Sequence, residues 1–563
     1  MKKLETYLIM SLVLVCCQFL VTFSLHSQTK STPSDTTKKN PQKLEPQEEK
    51  PKLELPDVLI YGTDRSVRVT GNKLEKSQED AKLVAPIINY QPLTKDLNLE
   101  NNKNYFESQK QGIGSRTLVQ LDVGRYQQFN FEAGQWKETK NYNYNILGKY
   151  DRSNGQYNNS QYFQGAIQGQ LGFRMSPNFV ISSQGKFRLH DYGLYGAEFD
   201  SLKRKKIGGK AKIDALWSIS ADQSADFSLY FQQSNCKDKD SNHYSSKLEQ
   251  RGAGLIFLYQ TKYRSIPIFV RGLYEYEKLD QFITDSMRIQ NYFQVKSWTS
   301  FKIKKYLITK PAVLFESLDV NDSPSHYLVS PDIEIIAMPT PKFGVLLKAS
   351  REFSPLNYFD LCEKNPFISP TTQFISMKKE LELKLGTEYK FSSRLTLNGE
   401  MIRQNWKNYA YWYREPSFGL FRLNSLDKAT LTILNFQSKL NFSSKLNFDA
   451  GIQINFDSSK HDSVNNHLPY LEQFRIPFNL EYKNDKSVQA SLSFQLIGPR
   501  YVDLKNDEKL STIALLSAYF EKQLIKNISV FIEGNNLFNQ KYEFWQGYPG
   551  MGFYFGAGLR GSW

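Results

Sequence analysis

The sequence predicts an all-β protein, a transmembrane antiparallel β-barrel of about 22 strands that follows a disordered N-terminal periplasmic tether. Apolar and polar residues alternate in stretches of about ten residues, which is the length of a tilted membrane-spanning strand. Short turns also alternate with longer connections along the chain. The last alternating stretch ends at an aromatic residue, Trp563, which is typical of a barrel that closes with its own C-terminal strand.

The N-terminus has the layout of an export signal. Lys2 and Lys3 precede an apolar run over residues 7–23 and a polar stretch follows, so residues 1–27 are predicted to be a signal peptide. No later run of about 20 apolar residues is present, so no helical membrane span is expected in the mature chain. Residues 28–56 are rich in Lys, Glu and Pro and are predicted to be a disordered periplasmic linker.

Charge and cysteine content exclude two classes of protein. The net charge of +15 is spread along the chain among acidic residues, without a basic cluster interleaved with aromatics, so no nucleic-acid partner is expected. Attraction to anionic lipid headgroups and a merely solvated surface both remain open. After the signal peptide only Cys236 and Cys362 are left, too few for a disulfide framework, and two unrelated thiols are expected.

The alternation is clearest over residues 446–456. One face carries the apolar side chains, which are Leu446, Phe448, Ala450, Ile452, Ile454 and Phe456. The other face has no large apolar residue, and residues 211–219 and 381–389 repeat the pattern. A period of two indicates strands with two unlike faces, and the length of the segments favours a membrane-spanning barrel over a soluble sandwich.

Connections set the strand count. The longer connections are predicted at residues 191–208, 235–249, 354–377, 412–427 and 535–551, with short turns between them. Counting strands backward from Trp563, with each strand between one short turn and one long loop, gives about 22 strands. The first strand is predicted near Arg116 to Gly124, and the barrel domain comprises residues 115–563. An even number places the N- and C-termini on the side of the short turns, which is periplasmic in outer-membrane barrels.

The final strand is predicted to carry a targeting signal. Apolar residues at alternate positions before a terminal aromatic resemble the signal that the barrel-assembly machinery reads. Its residues are Phe555, Ala557, Leu559, Gly561 and Trp563. The assembly machinery and outer-membrane lipid are therefore expected partners, and a plain edge strand is the alternative.

A family resemblance rests on the C-terminal motifs. Residues 530–543 (VFIEGNNLFNQKYE), followed by Gly547-Tyr-Pro549 and the aromatic C-terminus, resemble the last two strands of TonB-dependent receptors. Upstream segments are similar to that family's long loop and later strands. These segments are residues 351–370, 380–406, 468–482 and 498–501. The resemblance implies an outer-membrane receptor or transporter barrel.

The same resemblance extends to a short segment near the N-terminus, within the predicted region of residues 57–114. It consists of Asp57, Val58, Leu59, Ile60, Tyr61 and Gly62. It is similar to the box through which such receptors add a strand to TonB, so TonB or another periplasmic protein is a candidate partner. The alternative is an ordinary β-branched run after a proline.

The segment that follows is too short for the family's plug domain. Only about fifty residues separate Gly62 from Arg116, so residues 57–114 hold at most a partial plug. An empty barrel of this size would be a wide hole. The lumen is therefore expected to be obstructed by residues 65–114, by inward-folded loops or by another protein.

Few residues suggest catalysis. His190-Asp191 and His461-Asp462 with His467 are the arrangements worth naming, and no nucleophile elbow, phosphate loop or HExxH motif accompanies them. We therefore expect no enzyme, no cofactor and no metal. The predicted function is transport or reception of an unknown solute in the cell outer membrane, or membrane partnership in an envelope complex. The alternatives are a structural or adhesive barrel and, more remotely, an outer-membrane hydrolase.

Overall fold

The computed structural model describes the barrel part of the chain. The described residues are 114–139, 141–198, 201–220, 222–240, 245–281, 286–304, 306–320, 325–372, 374–461, 464–484 and 487–563. The predicted signal peptide, linker and TonB-box-like segment lie outside the described residues. No helix within the described ranges is long and apolar enough to cross a membrane.

Twenty-two strands form one closed antiparallel barrel. In chain order they are β1 Gly114–Gly124, β2 Gln128–Glu138, β3 Tyr142–Ser153, β4 Tyr162–Ser176, β5 Phe179–Gly193, β6 Lys203–Ser220, β7 Gln223–Lys239, β8 Ser245–Tyr263, β9 Ile266–Gln281, β10 Ser286–Thr299, β11 Leu307–Val320, β12 His326–Thr340, β13 Phe343–Ser354, β14 Met377–Lys390, β15 Leu395–Arg414, β16 Phe421–Asn441, β17 Leu446–His461, β18 Phe474–Lys483, β19 Val488–Ile497, β20 Ile513–Ile525, β21 Ile528–Asn535 and β22 Tyr554–Ser562. The predicted count is therefore confirmed.

Short elements extend this frame. Phe301–Lys304 continues β10, and Val464–Asn466 pairs with the end of β17. Two small ribbons stand in the loops, one formed by Arg500–Tyr501 with Lys509–Leu510 and the other by Glu543–Trp545 with Tyr548–Pro549. The helix α1, Tyr358–Lys364, lies in the loop between β13 and β14.

Closure joins the first strand to the last. β1 pairs with β22 from Leu118 opposite Ser562 to Gly124 opposite Gly556. Beyond that ladder, the N–H of Thr117 donates to the carbonyl of Trp563 at 2.8 Å, and the N–H of Trp563 donates back at 2.9 Å. Because this ring leaves no strand edge unpaired, the backbone can lie in hydrocarbon, where an unpaired polar group is costly.

Apolar side chains of the alternating stretches face outward. On β6, Ile213 and Trp217 are 51% and 49% exposed, although both are large and apolar. The apolar face of β22 also points outward, since Phe555, Leu559 and Trp563 are exposed. On the opposite face of β22, Arg560 forms an ion pair of 2.5 Å with Glu521. An apolar exterior with a polar interior is the arrangement of a barrel that is solvated by lipid.

Three of the five predicted long loops are at least half strand, which corrects the sequence-based expectation. Within residues 191–208, 235–249 and 412–427 the true connections are only residues 194–202, 240–244 and 415–420. The other two long loops, 354–377 and 535–551, are confirmed. Strands continue beyond the apolar band because hydrogen bonds to the neighbouring strands satisfy their backbone groups in water as well. The alternation of apolar and polar residues that identifies a strand in the sequence ends at the edge of that band.

Candidate functional site: the lumen and its closing loop

The lumen wall is polar, and its ion pairs join strands that are adjacent or separated by one strand. Four ion pairs link inward side chains, namely Lys149 with Glu132 at 2.8 Å, Lys296 with Asp332 at 2.6 Å, Lys310 with Glu334 at 2.8 Å and Arg560 with Glu521 at 2.5 Å. Such pairs in a water-facing surface contribute little stability individually. They show that the interior suits water and polar solutes rather than lipid.

A loop lies within the lumen at the end opposite the short turns. We call residues 355–376 the inward loop; all of it except residue 373 is described. On one side, the hydroxyl of Tyr192 on β5 donates to the carbonyl of Pro366 at 2.6 Å. On the other, the N–H of Phe421 on β16 donates to the carbonyl of Phe367 at 2.9 Å. β5 and β16 lie half of the 22 strands apart, the largest separation in the ring, yet they contact adjacent residues of this loop, so the loop fills the lumen between them.

Further hydrogen bonds attach the beginning of the inward loop to the wall. The N–H of Tyr358 donates to Glu277 Oε1 on β9 at 2.9 Å, and Gln290 on β10 donates to the carbonyl of Leu356 at 2.9 Å. The helix α1 begins after Asn357, whose side-chain oxygen accepts the N–H of Asp360 at 3.1 Å. This cap satisfies a donor that the first helical turn would otherwise leave open.

A buried ion pair holds the middle of the inward loop. Arg204 on β6 donates from Nε and Nη2 to the two carboxylate oxygens of Asp238 on β7, at 2.6 and 2.7 Å. Its remaining Nη1 donates to the carbonyl of Pro366 at 2.8 Å. Both side chains are 1% exposed. A bidentate pair at this depth fixes the guanidinium in one orientation, and Arg204 thereby connects the barrel wall to the loop.

An aromatic cluster packs above this anchor. It consists of Phe367, Trp412, Phe421, Tyr470, Trp545 and Tyr548. Trp545 and Tyr548 come from the loop between β21 and β22, so a second long connection also folds over the lumen. The ring centroid of Trp545 lies 4.9 Å from that of Phe421 and 5.0 Å from that of Tyr470. Burial of large aromatic surfaces is the main term that holds the two loops together.

Two titratable groups of α1 have shifted pKa values. Burial lowers the pKa of Lys364 to about 8, against the opposing effect of Asp360 and Glu363. For Glu363, burial acts to raise the pKa, but the neighbouring Arg188 and Lys186 outweigh it and the pKa is lowered. Arg188 Nη1 lies 2.5 Å from Glu363 Oε1. α1 is thus attached to the wall by an ion pair while carrying one poorly solvated cation.

The predicted histidine arrangements do not form one site. His190 faces inward near the loop end of β5, with its ring 4.3 Å from that of Tyr192. Asp191 is exposed on the opposite face, because successive residues of a strand point to opposite sides. His190 and Asp191 therefore do not act as a pair.

The second arrangement is only partly visible. His461 ends β17 and Asp462 lies outside the described residues. His467 Nδ1 is 3.0 Å from Asp457 Oδ1, and the ring stacks on Tyr501 with centroids 5.2 Å apart. Within the described ranges no three His, Cys, Asp or Glu side chains are placed to hold a metal ion.

The two cysteines in the described part of the chain are buried and unbonded. Cys236 lies on β7 and Cys362 on α1, which packs against β7. Sequence reasoning identified the long loop at 354–377 but missed its inward path. Its composition contains a usable signal, because Phe359, Leu361 and Phe367 are more apolar than a solvated loop requires.

The comparisons with known proteins agree with this architecture. No family model and no curated protein sequence match the chain. Among solved structures, the siderophore receptor PiuA from Acinetobacter baumannii is similar, with a TM-score of 0.63, 10% identity and coverage of 80% of this chain and 82% of that one. The copper transporter OprC gives a TM-score of 0.64 and 11% identity, covering 80% of each chain.

A third structure, the ferric yersiniabactin uptake receptor FyuA from Yersinia pestis, gives a TM-score of 0.63 and 13% identity, covering 81% of each chain. These neighbours are receptors and transporters by name. At such low identity they establish the fold and not the solute. The described chain therefore has the outer-membrane β-barrel fold of TonB-dependent receptors, which confirms the resemblance that the C-terminal motifs indicate.

Proposed function

We propose that the chain is a non-enzymatic receptor or transporter barrel of the outer membrane, which admits a solute when its inward loop leaves the lumen. The short turns and both chain ends would face the periplasm, and the loop end would face outward. The solute is unidentified. The similarity to proteins named as a siderophore receptor and a copper transporter supports uptake of a scarce nutrient as the class of activity.

One observation carries the proposal: the inward loop is hydrogen-bonded to strands on both sides of the barrel. Of the three obstructions considered from the sequence, inward-folded loops are the one that these contacts support. A loop that is held by a few hydrogen bonds, one buried ion pair and aromatic packing can be released without disturbing the barrel ladder. This is the physical requirement for a passage that opens reversibly.

Conductance through a planar lipid bilayer tests the closure. Replacing residues 358–375 with a short Gly-Ser linker should open a large, steady conductance that the unaltered protein does not show. A matched control replaces residues 503–508, in the loop between β19 and β20, and should leave the conductance as in the unaltered protein. If the first variant stays closed as well, the lumen is obstructed elsewhere and the assigned role of the inward loop is wrong.

Energised transport by TonB is a separate part of the proposal. Asp57, Val58, Leu59, Ile60, Tyr61 and Gly62 would pair with the TonB C-terminal domain as an added strand. A peptide of residues 54–65 should bind that domain, and the same peptide with Ile60→Pro should not, because proline removes a ladder donor. Absence of binding would remove the energised version and favour another periplasmic partner.

The structural or adhesive alternative predicts a different cellular result. A transporter that lacks the inward loop should make cells permeable to large polar antibiotics, because the lumen would then be open. A structural barrel that is closed by some other component would leave permeability unchanged. The targeting role of Phe555, Ala557, Leu559, Gly561 and Trp563 remains a proposal that is supported by their common outward face on β22.

A further inference from the structure

Two free thiols lie at the contact between the barrel wall and the inward loop. Cys236 is on β7 and Cys362 is on α1, and their side chains are 3% and 6% exposed. Cys236 faces the lumen, because it shares the alternate positions of buried Ser234 and Asp238, whereas the exposed Lys237 belongs to the outer face. The thiol of the wall therefore points toward the loop that fills the lumen.

The helix α1 contacts the wall on one side of Cys236. A Cβ added to Gly208 of β6 would lie 3.2 Å from Phe359 Cε2 and 3.4 Å from the Cβ of Ser234, the cross-strand partner of Gly208. Phe359 and Cys362 are three residues apart in the helix, so they lie on the same face. Cys362 therefore faces the same part of the wall as Phe359.

The chain that follows α1 contacts the wall on the other side of Cys236. The carbonyl of Pro366 accepts a hydrogen bond from Arg204 Nη1 at 2.8 Å, and Arg204 lies opposite Asp238 in the register. Cys236 is two residues from each of the two β7 positions at which the loop is held. Cys362 lies between the two loop residues that make those contacts, so the two cysteines occupy corresponding places in wall and loop.

The approach of α1 to β7 is close enough for a covalent link. Cα atoms of the two elements come within 8 Å of each other, and the two thiols interact electrostatically. A disulfide joins Cα atoms that are about 4.4–6.8 Å apart, which such an approach permits. The link would fix the inward loop to the wall between two contacts that already hold it.

Since the proposed function requires the inward loop to leave the lumen, we infer that Cys236 and Cys362 form a disulfide that locks this loop to the barrel wall under oxidising conditions. The oxidant is an exogenous disulfide, either oxidised glutathione or a thiol–disulfide exchange protein. The thiolate of one cysteine attacks it, which forms a mixed disulfide and releases one thiolate. The thiolate of the second cysteine then attacks the mixed disulfide, so the protein disulfide forms and the other exogenous thiolate leaves. Two electrons and two protons thus pass from the protein thiols to the oxidant, which ends as two thiols.

Burial makes the pair responsive to the position of the loop. Both thiols are shielded while the loop is docked, and a shielded thiol reacts slowly. When the loop loosens, the oxidant reaches them, and the bond that forms then keeps the loop in place. Surroundings outside the cytoplasm favour disulfides, so the locked form is expected to accumulate there, and a reductant would return the protein to the form that can open.

Peptide mapping of the full-length protein in dodecyl maltoside tests the bond. After treatment with oxidised glutathione, the remaining thiols are blocked and the protein is denatured and digested with trypsin. Cleavage after Lys and Arg leaves Cys236 in the peptide of residues 213–237 and Cys362 in that of residues 352–364. The two peptides should appear joined, with a mass two hydrogen atoms below their sum, and should separate on reduction. The variant Cys236→Ser should give no joined peptide.

The same mapping is carried out in Trp545→Ala, which loosens the inward loop through the aromatic cluster and leaves both thiols in place. The joined peptide should form faster in this variant than in the unaltered protein, because the oxidant reaches the thiols more often. Absence of the joined peptide from both proteins would overturn the inference.

Trypsin cleavage after Lys364 in the folded barrel tests the lock. Oxidised Trp545→Ala should be cleaved at least about tenfold more slowly than the reduced form of the same variant. A matched control, Trp545→Ala with Cys362→Ser, should be cleaved at the same rate before and after the oxidant. Equal rates for oxidised and reduced Trp545→Ala would show a bond that locks nothing, and the inference would be wrong. The variant that replaces residues 358–375 lacks Cys362, so its conductance tests the proposed function independently of the lock.

Discussion

Removing one member of the buried Arg204–Asp238 pair should release the inward loop. The variant Asp238→Leu leaves the guanidinium of Arg204 buried without its carboxylate, at a site where both side chains are 1% exposed. Breaking a buried pair in this way costs about 3–5 kcal/mol. Arg204 can avoid that cost by turning toward water, but the carbonyl of Pro366 then loses the donor at 2.8 Å. The penalty therefore falls on the docked state of the loop.

The expected magnitude follows from that cost. A change of 3–5 kcal/mol corresponds to about 150- to 5,000-fold in the equilibrium between docked and released loop. Trypsin cleavage after Lys364 in the folded barrel reports the released population when opening and closing are fast relative to cleavage. The cleavage rate of Asp238→Leu should accordingly rise by at least about a hundredfold over that of the unaltered protein.

Two comparisons make this prediction refutable. The double variant Arg204→Leu, Asp238→Leu should restore most of the slow cleavage, because replacing a whole buried pair by apolar side chains is close to neutral. The carbonyl of Pro366 keeps the Tyr192 hydroxyl as a donor in that variant. Asp191→Asn, on the exposed face of neighbouring β5, should leave the rate unchanged. If Asp238→Leu is cleaved within about threefold of the unaltered rate, or if the double variant is cleaved as fast as the single one, the anchoring role of the pair is wrong.

Three further predictions concern the loops and the last strand. Trp545→Ala should remove about 3–5 kcal/mol of packing from the aromatic cluster and also accelerate cleavage after Lys364. Since the pKa of Lys364 is about 8 in the docked loop and higher when released, the released state binds more protons between pH 8 and 10.5. Docking should therefore tighten as pH rises through that window, so the bilayer conductance of the loop-releasing variant Trp545→Ala should fall with pH, and adding Lys364→Met to it should abolish the dependence. Trp563→Ala keeps both backbone hydrogen bonds to Thr117, so the variant should fold normally in micelles but yield less assembled barrel in cells. An equal loss of folded protein in micelles and of assembled barrel in cells would contradict a targeting role.

Much of the barrel follows from local patterns. Alternation on a strand such as residues 446–456 has a period of two, which is a property of neighbouring residues and needs no knowledge of the rest of the chain. The turns that flank each stretch follow from the same local reasoning, so the strand count and the first strand were predicted correctly. Strand ends beyond the membrane were missed, since residues 203–206 (KRKK) and 236–239 (CKDK) have no apolar alternation although they are paired.

The candidate site was largely beyond sequence reasoning, because its contacts join distant residues. Arg204 and Pro366 are 162 residues apart, and Gln281 and Thr372, which share another buried hydrogen bond, are 91 apart. Whether a long loop turns inward depends on which side chains the barrel wall presents at its level, and that depends on the register of all 22 strands. Local propensity contains no information about such partners.

The amino-acid sequence by itself determined an all-β chain with lipid-facing and water-facing strand sides, an even number of strands and a closing strand that ends at Trp563. Those properties follow from the alternation of apolar and polar residues with a period of two and from the positions of the turns. Both are set by residues that are neighbours in the sequence. Only the tertiary structure decided that the inward loop fills the lumen between β5 and β16 and that Lys203 faces Lys239 on the outer surface. Both depend on which residues closure of the ring brings together, and only the folded barrel specifies that.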